Sequence, residues 1–196
     1  MFSGGMDSTY IAWKMMKNKI GKLHLHHASI RNDSDPLWKQ QDRAVKLILD
    51  YFRKQGFEFG YSESIFEFFG WEQVGFDSDL LLLIGQKIAQ NFDGKVELFI
   101  GWNPYDMERL CIADRSCRNV TNNIWLSLVE SARNRKHIDK NLHFPLIEDN
   151  LRKADIIEEM PKELLDLTWS CRKSKTDTPC GSCHACIEIQ DALKKP

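Results

Sequence analysis

The sequence has almost no net charge: 27 Lys and Arg balance 28 Asp and Glu, leaving −1. No whole-molecule field therefore draws in nucleic acid or an anionic membrane. Long apolar runs are absent too; Leu80-Leu81-Leu82-Leu83-Ile84 is far too short to cross a bilayer. No basic leader followed by an apolar stretch opens the chain, so the expected setting is cytoplasmic. Internal repeats, low-complexity segments and a convincing interdomain linker are also lacking. What remains is 196 residues of ordinary globular composition, enough for one domain with a core and a small appendage.

The six cysteines are unevenly placed. Cys111 and Cys117 lie alone, whereas Cys171, Cys180, Cys183 and Cys186 crowd into CRKSKTDTPCGSCHAC. This is C-x8-C-x2-C-x2-C, and such clustering in a reducing compartment reads as a metal site before it reads as disulfides. Four thiolates converging on one point repel unless a cation neutralises them, and tetrahedral zinc accepts four sulfurs at about 2.3 Å. With four sulfurs the shell is complete, so the zinc is structural and His184, between two ligands, stays outside it. The tail 171–196 is too small to fold unaided, and the metal would pin it.

Strand and helix patterns alternate upstream. DSTYIAWKMMKN reads as a helix ended by Gly21, and KLHLHHASI as a strand. On that strand His24 and His26 share one face and His27 takes the other; without a carboxylate or cysteine nearby, they read as polar strand positions. PLWKQQDRAVKLILDYFRKQG is an amphipathic helix. FEFGYSES is expected to be a second strand and the approach to a loop, DSDLLLLIGQKIAQNF a buried helix, VELFIGW a short strand, TNNIWLSLVESARN a helix and HFPLI a strand end. RKADIIEEMPKELLDL forms a helical pair broken at Pro161. The alternation predicts an α/β domain with a largely parallel sheet over 1–170, followed by the zinc-binding tail.

The chain opens on MFSGGMDST. Gly4 and Gly5 let backbone approach a ligand. If Asp7 or Ser8 begins the helix, its free N–H groups and macrodipole make an anion site. Ser3, Ser8 and Thr9 could add hydroxyl donors, and Asp7 could hold Mg²⁺. The same residues also read as a plain turn with an Asp or Ser N-cap.

Ser3-Gly4-Gly5-Met6-Asp7-Ser8-Thr9 resembles the pyrophosphate (PP) loop of the N-type ATP pyrophosphatases, which transfer AMP to a carbonyl oxygen. In them the loop follows the first strand of the sheet. Met1 and Phe2 are too few to supply one, so the expectation is a stub or a start upstream of the recorded one.

Loop and cysteine knot together resemble the 7-cyano-7-deazaguanine synthase family, whose first cysteine is also preceded by a threonine, here Thr168. PLIEDNLRKADIIEEM resembles that family's Lys-Ala-acidic-Ile helix start, which implies that Lys153 lies near the ATP phosphates and acts with Asp7 in catalysis. FIGWNPYD resembles the approach to the substrate pocket, making Asn103 and Asp106 candidate substrate contacts and Trp102 a candidate to stack on a purine. The resemblance implies a Rossmann-like adenine-nucleotide α-hydrolase fold and an ATP-dependent ligase. With ammonia, such an enzyme converts a 7-carboxy-7-deazaguanine-like carboxylate to amide and nitrile for queuosine biosynthesis. ATP, Mg²⁺ and Zn²⁺ are the implied cofactors. The partners are then the small deazapurine acid and ammonia, with no membrane and no direct nucleic-acid contact; a homodimer is allowed.

The sequence departs from the family at VGFDSDLLLLIG, where Asp77 and Asp79 stand in place of a basic residue, and at SIRNDSD after the second strand. A different deazapurine or another carboxylate is therefore an open substrate. Two other readings stay open. A tRNA-thiolating enzyme with the same loop would use Cys111 or Cys117 as sulfur carrier. A degenerate zinc protein would bind nucleic acid through Arg172, Lys173 and Lys175, although so few cations give modest affinity.

Overall fold

The structure, a computed structural model, describes residues 1–32, 37–68, 70, 77–111, 117–133, 135–174 and 176–194. In chain order the elements are α1 (Met6–Lys17), β1 (His24–Asn32), α2 (Leu37–Lys54), β2 (Gly60–Phe68), α3 (Asp77–Ala89), β3 (Val96–Phe99) and α4 (Pro104–Cys111). Then follow α5 (Cys117–Ser131), β4 (Ile138–His143), α6 (Pro145–Glu148), α7 (Lys153–Glu159), α8 (Lys162–Leu165) and α9 (His184–Lys194). Contacts divide the chain into two compact units, one of Phe2–Gln73 with Leu151–Pro196, the other of Met1 with Val74–Asn150.

In the first unit β1 and β2 pair in parallel, from His24 opposite Gly60 to Asn32 opposite Phe68. A parallel pair needs a crossover, and α2 supplies it. Its buried residues Ala44, Val45, Ile48, Leu49 and Phe52 recur at helical spacing and form one stripe. Phe52 is the hub: Phe57 and Phe59 each meet its ring edge-on at 6.0 Å, and Phe2 lies 6.4 Å away. β2 starts at Gly60 and not at Phe57 as expected; Phe57 and Phe59 instead pack their rings on Phe52, near the C-terminal end of α2.

In the second unit β3 and β4 pair in parallel, with Leu98 opposite Leu142 and Phe99 opposite His143. α3 and α5 cover a core of Leu82, Trp125, Val129, Ile138, Leu142 and Phe144. Trp125 is wholly buried, and its indole N–H donates to the Asp139 carbonyl at 3.0 Å. The expected strand end HFPLI is corrected here: the strand stops at His143 and Pro145 starts α6. Proline carries no N–H to continue a ladder and suits the first helical position.

Among the described residues the strands thus make two small parallel sheets between helices, a mixed α/β architecture. No described helix is long and apolar enough to cross a membrane.

Candidate functional site

The opening loop turns directly into α1. Helix geometry begins at Met6, with Gly5 at the cap position and no side chain capping it. The expectation that Asp7 or Ser8 caps the helix is therefore corrected: both lie inside the first turn. Gly4 is required where it stands. Its φ is +74°, and a Cβ would sit 3.0 Å from Val45 Cγ2 and 3.1 Å from Val45 N. The bare backbone is what lets the loop lie against α2.

Ser3 and Ser8 knit the loop together. The Ser3 N–H donates to Ser8 Oγ at 3.3 Å, the hydroxyls meet at 3.1 Å, and the Gly5 N–H donates to Ser3 Oγ at 3.3 Å. Among the described residues no acceptor faces the amides of Asp7 and Ser8. The Thr9 hydroxyl is fully buried without a partner, and so is Oδ1 of Asp7. Unpaired polar groups at a helix N-terminus are costly unless a ligand takes them.

The other carboxylate oxygen of Asp7 is taken. Lys153, 3% exposed, donates its ammonium to Asp7 Oδ2. Lys153 opens α7, where the helix field opposes a cation. It is held there because Ile156 and Met160 bury the same helix, and because the Asp155 carboxylate accepts the Arg152 N–H at 2.7 Å and fixes the first turn. Farther along, the Tyr10 hydroxyl donates to Glu159 and Lys14 donates to Tyr10 at 2.8 Å, so α7 is tied to α1 at two levels.

Phe2 takes the place of the strand expected before the loop. Its N–H donates to the His26 carbonyl at 2.8 Å, and its carbonyl lies 3.0 Å from Nδ1 of His27. Nε2 of His27 reaches Asp42 Oδ1 at 2.8 Å, and Ser29 donates to the other carboxylate oxygen at 3.0 Å. The reading that no carboxylate lies near these histidines is thereby corrected for His27; Asp42 comes from α2, distant in sequence. His24 and His26 do share the other face, each 2.7 Å from Ser62 Oγ. Burial pushes the His26 imidazole down to about 4.

The four tail cysteines converge, with all four sulfurs within 4.8 Å of one another. Cys180 to Cys186 and Cys171 to Cys183 are each 4.0 Å apart. A tetrahedron of Zn–S bonds of about 2.3 Å has edges of about 3.8 Å, so the set fits the ion. Amides of Arg172, Cys180 and Cys183 point at Cys183, Cys171 and Cys180 respectively, at 3.3–3.4 Å. The Ser182 N–H and hydroxyl draw the Cys180 thiol down to about 6, while burial pushes Cys186 up to about 12. His184 opens α9 and is outside the sulfur cluster.

The tail also reaches the loop. Trp169 packs on the cysteine cluster, and its backbone N–H donates to the Gly4 carbonyl at 2.9 Å. Ser170 Oγ accepts the Met6 N–H at 3.0 Å. α9 packs on α7. The sequence reading missed Trp169 and Ser170, although they stand directly before Cys171.

The candidate substrate residues lie in the second unit. Asn103 and Asp106 cap α4 reciprocally: the Asp106 N–H donates to Asn103 Oδ1 at 3.0 Å, and the Asn103 N–H to Asp106 Oδ2 at 3.2 Å. Asn103 is 1% exposed and its Nδ2 is buried without a partner. Trp102 meets Phe144 at 5.7 Å. Asp79 is exposed on α3. The side chains of Asp77, Cys111 and Cys117, together with Trp71 and Lys175, lie outside the described residues.

A glycine loop feeding a helix N-terminus, with a buried ammonium beside it, stands in a mixed α/β protein whose four converging thiols could hold a metal ion. Comparison with protein families makes this specific. The family model described as queuosine biosynthesis protein QueC matches residues 73–196, more than half of the chain, and the protein belongs to that family. Family membership makes it an ATP-dependent enzyme of queuosine biosynthesis. The match takes in Lys153 and all four tail cysteines and begins beyond the opening loop. No curated protein and no solved structure matches the chain significantly.

Proposed function

We infer that the protein is an AMP-forming ligase that activates a 7-carboxy-7-deazaguanine-like acid with ATP and passes it to ammonia. The observation that carries this is the Lys153–Asp7 pair at the start of α1, beside amides that have no acceptor among the described residues. The functional division is then a PP-loop domain, 1–170, of the adenine-nucleotide α-hydrolase type, and a zinc-binding tail, 171–196.

A carboxylate is a poor electrophile, because oxide or hydroxide is a hopeless leaving group at neutral pH. In the proposed reaction a carboxylate oxygen attacks the α-phosphorus, the α–β bridge breaks, and pyrophosphate departs. Ammonia adds to the acyl carbon, the C–O bond to AMP breaks, and the amide forms after loss of a proton. The amide oxygen then attacks the α-phosphorus of a second ATP, a second pyrophosphate departs, and cleavage of the C–O bond to AMP with loss of two protons leaves the nitrile. Such a site works by holding reactants and neutralising charge.

Ser3, Gly4, Gly5, Ser8 and Thr9 cradle the β- and γ-phosphates in this reading. Lys153 turns from Asp7 toward the charge that develops as pyrophosphate leaves. The unpaired Oδ1 of Asp7 fits a Mg²⁺ ligand, and that ion would screen the phosphate oxygens. Trp102, Asn103 and Asp106 are proposed to face the base, with Asn103 Nδ2 as a free donor. Zinc held by Cys171, Cys180, Cys183 and Cys186 supplies structure and no chemistry. The family match supports this ligase reading over thiolation or nucleic-acid binding, for which no specific observation speaks.

The test is pyrophosphate release by zinc-loaded protein. Release that requires ATP, 7-carboxy-7-deazaguanine and ammonia together is expected. Nucleotide binding without release would overturn the substrate, and no nucleotide binding would overturn the enzyme.

A further inference from the structure

The segment Thr168-Trp169-Ser170 joins the metal knot to the phosphate loop. Its C-terminal neighbour is the ligand Cys171. Its middle residue lies with the indole against the cysteine cluster and the backbone N–H on Gly4. Its last residue holds the amide of Met6, the first residue of α1. Its first residue closes the turn behind it, with the Thr168 hydroxyl on the Leu165 carbonyl at 2.8 Å. A Cβ on Gly5 would come within 3.6 Å of both Ser170 Oγ and the Trp169 carbonyl, so the strap lies flat against the loop.

We propose that this strap makes the phosphate-binding shape of the loop conditional on the metal, so that zinc occupancy and nucleotide affinity are coupled through Ser170. The inference rests on the proposed nucleotide site and adds to it a positioning residue that the phosphate chemistry alone does not require. Glycine backbone has many shapes open to it before the loop is fixed, and among the described residues the loop's own serines bond only to each other and to the loop. The strap fixes that loop from outside on both sides of Gly5, at the Gly4 carbonyl and the Met6 amide. Without the metal, four sulfurs within 4.8 Å spread, Trp169 loses its support, and the amides of the first turn lose their common aim. Coupling of this kind is reciprocal: whatever factor zinc adds to nucleotide affinity, nucleotide adds to zinc affinity.

Two readouts on the full chain test this. Amide hydrogen exchange at Met6 and Trp169, without nucleotide, reads the strap itself. Chelation and Ser170→Ala should each speed exchange at Met6, whereas Ser170→Thr, which keeps the hydroxyl, should not. Calorimetric titration with Mg²⁺·ATP reads the coupling: Ser170→Ala with full zinc content should bind about tenfold more weakly, in the ordinary range of coupling energies. Ser170→Thr should restore the affinity. Unchanged exchange at Met6 in Ser170→Ala, or unchanged ATP affinity at full zinc content, overturns the proposal. Should chelation unfold the whole chain, Ser170→Ala still decides it. Coupled exchange in a protein that binds no ATP would retain the strap and overturn the nucleotide site instead.

Discussion

The ammonium of Lys153 and the carboxylate of Asp7 form an ion pair across 146 residues of sequence. Asp7 lies in the first turn of α1 and Lys153 opens α7. A buried cation at a helix start is unfavourable by itself, and the pairing offsets that cost. In the proposed reaction an arriving phosphate would offer Lys153 a second anionic partner and leave Asp7 for a divalent cation.

Removing one member should therefore harm both fold and rate. Lys153→Ala leaves a part-buried carboxylate unpaired and should lower stability by about 3 kcal/mol. Lys153→Arg should keep much of the stability. Loss of the charge aimed at departing pyrophosphate should cut turnover by about 100- to 1,000-fold. Urea titration and pyrophosphate release measure the two effects separately.

Gly4→Ala tests the loop itself. The new methyl meets Val45 at 3.0 Å in a backbone of φ +74°, and strain of this kind costs about 1–3 kcal/mol. Calorimetry should show lower stability and weaker ATP binding together, whereas the same substitution at Gly56, where a Cβ meets nothing within 4 Å, should leave ATP binding unchanged.

Metal analysis should find one zinc per chain. Cys180→Ser should lose it, and chelation should release α9 from α7, read as faster exchange in both helices. Zinc-free protein with the exchange pattern of the loaded form would contradict a bracing role.

His26 sets a pH limit. Its imidazole is held down to about 4 in the fold, against an ordinary value of 6.5. The unfolded chain therefore binds the proton more readily. Stability from this residue is full above about 6.5 and drains as pH falls toward 4, at no more than about 1.4 kcal/mol per pH unit. Urea midpoints followed across that window should flatten in His26→Asn.

Much of the candidate site could be picked out in the sequence because its residues lie close together along the chain. The Gly-Gly-x-Asp-Ser-Thr run and the C-x8-C-x2-C-x2-C spacing each lie within a few residues. Lys153 became legible only through its resemblance to a family segment, since one helix lysine resembles any other. The pairing of His27 with Asp42 was not readable, because β1 and α2 bring those residues together only after folding. Ser170 was hidden for the same reason: its partner amide, Met6, lies at the opposite end of the chain. The helical start at Pro145 was masked by its apolar neighbours, which suit a strand equally well by periodicity.

Oxygen transfer tests the central chemistry most directly. The acid is labelled with ¹⁸O in its carboxyl group and incubated with ATP, ammonia and the zinc-loaded protein, and the products are analysed by mass spectrometry. The expected result is label in AMP, unlabelled pyrophosphate, and either a nitrile without label or an amide that keeps one ¹⁸O. Label in inorganic phosphate with release of ADP, or an acid recovered unchanged while ATP is consumed, would contradict it.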